Sequence, residues 1–466
     1  MDRFYVGDVV VATGGKLICG DPNAAIDSVC MDSRIVGENS LFVAIPGERT
    51  DGHNFLESAR EKGASCALVS REVEVPDGMA CVLVEESVYG LQELSRWYMS
   101  SHLDMKKIAV TGSVGKTTTR DLLFAAVSST FVSGKNEKNY NSETGLPLTV
   151  LSFDHKMEAG ITEMGTDRGM DEISRLADIV RPNVAVITNI GVSHIEFFKT
   201  RERIFEAKMG IAKYFSEGNT LVVNADDDKL SSLKKENLPY DVVFVGSEKA
   251  LCEVDYMVSD VREKSLEGLI FTLSHDGKTY DVELPIPGEH NAINAALAIA
   301  GANAIGVSIE DAIGGMKNMT TTGSRLKLIK VGGFEIIDDS YNAAPESMKS
   351  AVSTLMRGDG ERKIAVLGDM NELGEESEKM HFGVGAFAAE KNPEYIITVG
   401  EKAKAIAEGA ESVNSASTKV IRCNNLDDAF QAIKGIIKAG DLVLVKASRG
   451  MALDELVARI EEEYKN

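Results

Sequence analysis

Cysteine is scarce: six residues in 466, at positions 19, 30, 66, 81, 252 and 423. No two lie close enough to form a CxxC or a Cys/His zinc pattern. Six thiols in a chain this long do not make a disulfide framework, so they are expected to be reduced core residues in the cytoplasm. Long apolar runs are missing as well. No stretch reaches the roughly 18 apolar residues of a membrane-spanning helix, so no membrane insertion is expected. Residues Met1 to Asp8 contain no basic patch leading into an apolar segment, so a signal peptide is not expected. Basic residues are outnumbered, 50 Lys and Arg against 72 Asp and Glu, a net charge of −22. Such a surface disfavours general binding to nucleic acid or anionic membrane, and an anionic ligand needs a local site that overcomes the overall field. Internal repeats and low-complexity tracts are absent. With 44% hydrophobic and 26% charged residues, a fibrous or wholly disordered chain is excluded.

The length, at roughly 150 residues per domain, suggests about three domains. Short apolar runs at Leu41 to Ile45, Cys66 to Val69 and Cys81 to Val84, with a helix near Phe55 to Glu61, predict a small α/β unit. Val88, Leu91, Leu94 and Tyr98 share one helix face and lead to a second unit. There, strands at 107–111, 160–164, 184–188 and 220–224 alternate with helix-length segments, which predicts a parallel sheet covered on both faces. Leu269 to Leu273 and Tyr280 to Leu284 read as an added hairpin around Asp276-Gly277. A polar, glycine-containing break at Gly314 to Gly323 precedes strands at 364–367, 395–399 and 442–445, a third, doubly wound α/β unit. The expected domains are 1–100, 101–320 and 321–466.

The strongest local signal is a strand that meets Thr111-Gly112-Ser113-Val114-Gly115-Lys116-Thr117-Thr118 and then a helix. Glycines allow backbone N–H groups to face a phosphate, and the helix N-terminus adds its positive dipole end. Lys116 can reach the terminal phosphates, and the Thr117 hydroxyl can ligate Mg²⁺. Glu163 ends the apolar run Gly160-Ile161-Thr162, at a position suited to holding that cation. His194 follows the strand at 184–188, and Lys208 lies in a helical segment. By themselves these two read as ordinary solvated side chains.

Together, Thr111 to Thr118, Thr188-Asn189-Ile190-Gly191-x-Ser193-His194 and Gly288-x-His290-Asn291-x-x-Asn294 resemble the Mur ligase family. Those are three-domain, ATP-dependent, amide-forming enzymes of peptidoglycan synthesis. Asp338 to Met348, Val366 to Gly374 and Lys446-Ala447-Ser448-Arg449-Gly450-Met451 are similar to the branch that joins D-alanyl-D-alanine to UDP-N-acetylmuramoyl-tripeptide. Asp32-Ser33-Arg34 and Phe42 to His53 are similar to a uridine-diphosphate-binding module.

The resemblance implies a UDP-binding first domain, a central P-loop ATPase domain and a Rossmann-like third domain. It implies Lys116, His194 and Lys208 as catalytic residues. Nucleotide contacts would come from the 111–118 loop, Asn291, Arg325 and Asp339, and UDP-substrate contacts from Ser33, Arg34, Asn139 and Asn141. One Mg²⁺ would be held by Thr117 and Glu163. A second would sit near His194 and a carbamylated Lys208. A cytoplasmic monomer is expected. The competing class is a nucleotide-dependent switch, which needs a P-loop but not Glu163, His194 and Lys208 together.

Overall fold

The computed structural model describes all residues but 48–49, 138, 167–168, 318, 320–323, 414–416 and 466. The first-domain motif therefore loses Glu48 and Arg49, and the polar break loses Asn318 and Thr320 to Gly323, including the expected boundary at 320/321. Those positions lie outside the described residues.

Three principal sheets carry the fold. The first runs Lys16–Cys19, Ala80–Leu83, Ala64–Val69, Ser40–Val43, Ser28–Cys30, parallel except for its first pair. The expected strand at 41–45 stops at Val43, because the chain turns through an isolated bridge between Pro46 and Asp51. The helix Ser87–His102 leads out of this unit, and its fully buried Tyr98 donates to the Phe153 carbonyl (2.8 Å).

The central sheet has nine strands. Six lie side by side and parallel: Tyr256–Glu263, Asp241–Gly246, Thr220–Asn224, Val184–Ile187, Lys106–Thr111 and Ala159–Glu163, with Ser133–Lys135 parallel at the edge. Leu269–His275 and Lys278–Leu284 extend it antiparallel. Asp276 (φ 48°) and Gly277 (φ 71°) make the turn, the doubly left-handed geometry that matches strand twist in a two-residue hairpin. The central strands Val184–Ile187 and Ala159–Glu163 are buried throughout, as a parallel sheet covered on both faces requires. On one face, Leu122, Leu123, Ala126 and Val127 pack with the alanine-rich helix His290–Ala304.

The third sheet runs Lys327–Val331, Phe334–Asp338, Asp441–Lys446, Arg362–Gly368, Tyr395–Val399, Lys419–Cys423. All pairs are parallel but the first. Asp441–Lys446 enters last in the chain yet lies between strands formed earlier, so the strand order reverses beside it. Ligand crevices in open α/β sheets form at the carboxyl ends of strands at such points. All six cysteines are free thiols. Four are buried as expected; Cys252 is only partly buried, and Cys19 is exposed because its edge strand Lys16–Cys19 faces solvent on most of its length.

Candidate active site

The loop 112–115 leaves the carboxyl end of Lys106–Thr111 and enters the helix Lys116–Val127. Gly112 has φ 150°, and a Cβ there would stand 1.9 Å from Thr188 Oγ1. Gly115 has φ 83°, with Asn294 Oδ1 2.9 Å from where its Cβ would be. Only glycine combines such torsions with such close neighbours. The segment after Val184–Ile187 braces the loop. Ser113 N–H donates to the Asn189 carbonyl (3.0 Å), Val114 N–H to Asn189 Oδ1 (2.9 Å), and Thr188 Oγ1 to the Val114 carbonyl (2.6 Å). Gly191 N–H donates to Ser113 Oγ (2.9 Å). The helix then presents its N-terminal amides and dipole to the loop's mouth, a ready anion site.

Two lysines converge on one carbonyl. Lys116 Nζ donates to Gly112 O (2.8 Å) and Ser113 O (3.2 Å), and Lys208 Nζ reaches Gly112 O at 2.9 Å. Lys208 is 2% exposed and rises from the helix Arg201–Met209 behind the loop. Burial, reinforced by the Lys116 ammonium, holds its amine well below the usual lysine range. A cation in a dry site beside another cation is disfavoured, which shifts the balance toward the neutral amine.

Glu163, 2% exposed, is gripped from both sides. Its Oε2 accepts from Thr117 Oγ1 (2.8 Å) and Arg120 Nη1 (3.3 Å), and its Oε1 from Asn141 Nδ2 (2.7 Å). Thr117 and Arg120 are three residues apart, on one face of the phosphate-loop helix. The fully buried Arg120 also donates to Asp121, which binds Lys135. Glu163 and Thr117 thus offer two hard oxygens at the phosphate end. No described group of three or more His, Cys, Asp or Glu forms a metal cage. Two protein oxygens suit Mg²⁺, which completes its sphere with phosphate and water.

A cleft of about 1510 Å³ opens here, with the central sheet on one side and the third sheet on the other. It is lined by Ser113 to Thr118, Asn139, Asn141, Glu163, His194 and Asn291 and, across from them, Arg325, Asp339 and Lys446. The sequence-predicted residues thus meet in one space, except for Thr111, Gly112, Lys208, Ser33 and Arg34, which do not line the cleft. Thr111 and Lys208 lie buried beneath it, Thr111 Oγ1 donating to the Met164 carbonyl (2.8 Å). Ser33 and Arg34 belong to the first sheet's loops and do not line the cleft. Arg34 forms a bidentate pair with Asp32, which holds that carboxyl down at about 2.

Asn291 Nδ2 donates to the Pro287 carbonyl (2.6 Å), and its Oδ1 accepts from Asn294 (2.9 Å). Arg325 lies 3.9 Å above the Tyr341 ring, with Arg449 5.7 Å from the same ring. Asp339 is bound by Lys446 Nζ at 2.6 Å. Burial raises the Asp339 carboxyl, and Lys446 opposes that rise. Sequence reasoning gave no role to Asn189, Asn294, Arg120, Glu372 or Lys446. Asn189, Asn294, Glu372 and Lys446 stand inside the quoted motifs, so the signal was present without a partner to interpret it. Arg120 follows the loop motif by two residues, where spacing reveals neither its burial nor its carboxylates.

Three family models match in succession: Mur ligase family, catalytic domain, at residues 25–96; Mur ligase middle domain at 110–302; and Mur ligase, glutamate ligase domain, at 324–449. The UDP-N-acetylmuramoyl-tripeptide–D-alanyl-D-alanine ligase of Bacillus subtilis is 38% identical over 442 residues, covering 94% of this chain and 93% of its own. The Escherichia coli enzyme of the same name is 30% identical, covering 94% of each. Among solved structures, MurF from Acinetobacter baumannii superposes with a TM-score of 0.89 at 29% identity, covering 99% of both chains. MurF ligase from Thermotoga maritima in complex with ADP superposes with a TM-score of 0.80 at 30% identity, covering 94% of this chain and 98% of that one. With a phosphate loop facing a second α/β sheet, and relatives matched over nearly their whole length, the chain belongs to the Mur ligase family.

Proposed function

We propose that this chain is the ATP-dependent ligase that joins D-alanyl-D-alanine to UDP-N-acetylmuramoyl-tripeptide in peptidoglycan precursor synthesis. The observation that carries the reading is the shared cleft. The phosphate loop, Glu163 and His194 form one wall, and Arg325, Asp339 and Lys446 from the third sheet form the other. A nucleotide switch has no need of such a facing wall.

A carboxylate does not condense with an amine unaided, because oxide is a poor leaving group. The tripeptide carboxylate attacks the γ-phosphorus of ATP, the β–γ bridging P–O bond breaks, and ADP leaves. The dipeptide amine then attacks the acyl phosphate, loses a proton, and displaces inorganic phosphate. Two anions meet in the first step. Lys116 and the helix N-terminus stabilise the charge on the transferring phosphoryl group. Thr117 and Glu163 would hold a Mg²⁺ ion, which supplies charge neutralisation at the β- and γ-phosphates. A second Mg²⁺ would be held by His194 and a carbamylated Lys208, whose neutral amine is the form that adds CO₂. Asn291, Arg325 and Asp339 contact the nucleotide; Ser33, Arg34, Asn139 and Asn141 contact the UDP-substrate. Closing the third domain on the second excludes water from the acyl phosphate.

The domains divide at 100/101 and 320/321, and the enzyme works as a cytoplasmic monomer. No helix among the described residues is long and apolar enough to cross a membrane.

The test is isotopic. With ¹⁸O in the tripeptide's terminal carboxylate, one labelled oxygen should appear in each phosphate released, and release should require both the UDP-tripeptide and D-alanyl-D-alanine. Unlabelled phosphate, or release indifferent to both substrates, would sink the acyl-phosphate reading.

A further inference from the structure

One loop of the third domain reaches the central domain beside His194, at the phosphate end of the cleft. Residues 369–374 follow the strand Arg362–Gly368 and are pinned within their own domain. Met370 N–H donates to His381 Nε2 (2.9 Å), Asn371 N–H to Ser448 Oγ (2.8 Å), and Ser448 N–H to the Asp369 carbonyl (2.9 Å). From this held loop Glu372 projects across the domain boundary, and its Oε2 lies 2.5 Å from His194 Nδ1. The two side chains are thus in direct polar contact across the boundary. A backbone bond runs alongside, Glu196 N–H to the Glu372 carbonyl (3.2 Å).

Both residues sit in the left-handed region, His194 at φ 62° and Glu372 at φ 63°. Such torsions in non-glycine residues persist where surrounding structure enforces them, and they cluster at functional sites. Gly374 completes the fit. A Cβ there would lie 3.2 Å from Glu196 Cα, so the chain approaches at a distance that a larger residue would disturb. His194 is held in turn by the phosphate-loop brace, since the neighbouring Ser193 Oγ donates to the Ser113 carbonyl (3.3 Å). Glu372, the His194 segment and the phosphate loop therefore form one chain of contacts, and its third-domain member is Glu372.

We propose that Glu372 is a positioning residue: it arrives with the third domain, fixes His194 at the phosphate end, and so couples domain approach to completion of the catalytic site. This rests on the ligase reading above. A residue acting only through His194 has a distinct signature, because its removal costs nothing further once His194 is gone.

The experiment compares Glu372→Ala, Glu372→Gln, His194→Ala and the Glu372→Ala/His194→Ala double variant. Ligation kinetics, ADP affinity and amide exchange over residues 194–198 are measured for each. Glu372→Ala should lower kcat about tenfold with KM for ATP within about twofold of the parent. It should also speed exchange over 194–198, and Glu372→Gln, which keeps the contact without the charge, should recover part of both. The double variant should be no slower than His194→Ala. Losses that multiply in the double variant, or unchanged kcat and exchange in Glu372→Ala, would overturn the proposal. If the parent protein binds ADP but ligates nothing, the ligase reading fails, while exchange over 194–198 still reports whether Glu372 holds His194.

Discussion

Lys208→Ala is expected to lower ligation by on the order of 10²-fold or more, the scale seen when one preorganised charge-stabilising group is lost. The reasoning starts from burial. An ammonium at 2% exposure would face the Gly112 carbonyl with the Lys116 cation close by, and burial beside a like charge opposes it. The balance therefore shifts toward the neutral amine, the form that is nucleophilic toward CO₂. Carbamylation of that amine, as proposed above, would place an anion directly behind the phosphate loop, opposite in sign to Lys116. Two further results follow. A short carboxylate such as acetate or propionate should restore part of the lost rate in Lys208→Ala, by occupying the space the side chain vacates. The parent should also lose activity as pH falls, because protonation removes the nucleophilic amine and reverses carbamylation.

Stability follows the same sign. Between the lowered folded pKa and the ordinary lysine value, the unfolded chain binds the extra proton, so stability rises with pH across that window and is lost as pH falls toward the folded value. Lys208→Ala should flatten that slope. A rate within twofold of the parent, or a variant indifferent to added carboxylate, would remove Lys208 from the chemistry.

Reading depth along the sequence tracked contact distance. The phosphate loop was legible because strand, glycines, Lys116 and helix lie within about twenty consecutive residues, and each leaves a local mark. The hairpin at Asp276-Gly277 was legible for the same reason. The neighbouring strands Asp241–Gly246 and Tyr256–Glu263 were not identified, although the first is the run Asp-Val-Val-Phe-Val-Gly. In the second only Tyr256 and Val258 are buried, and it ends in Arg262 and Glu263, so its apolar face is diluted. Lys446 and Asp339 are 107 positions apart, and nothing local in either pairs them. Arg120 shows the limit most clearly. As sequence it is one charged residue among many on a helix, yet it is fully buried and bound to two carboxylates. Only the fold supplies those partners.

Gly112→Ala should weaken Mg·ADP binding by about a hundredfold, with kcat/KM falling at least as far. Two separable effects add. Strained backbone at a non-glycine residue costs about 1–3 kcal/mol, and each 1.4 kcal/mol is about tenfold in affinity. The larger effect is steric. A Cβ 1.9 Å from Thr188 Oγ1 cannot be accommodated while that hydroxyl donates to the Val114 carbonyl, so the loop itself must move. Moving it displaces the Gly112 carbonyl on which Lys116 and Lys208 both converge. Gly112→Ala/Thr188→Ala should recover only part of the loss, because the Thr188 backbone nitrogen still stands 3.1 Å from the new Cβ. Gly218→Ala is the control. It has φ 87° with nothing within 4 Å of the added carbon, so it should lower thermal stability by about 1 kcal/mol through strain alone and leave ADP affinity unchanged. Calorimetric titration with Mg·ADP separates these cases. Parent-like affinity in Gly112→Ala would mean that the loop tolerates a side chain there, and that close approach of Thr188 is not what shapes the phosphate site.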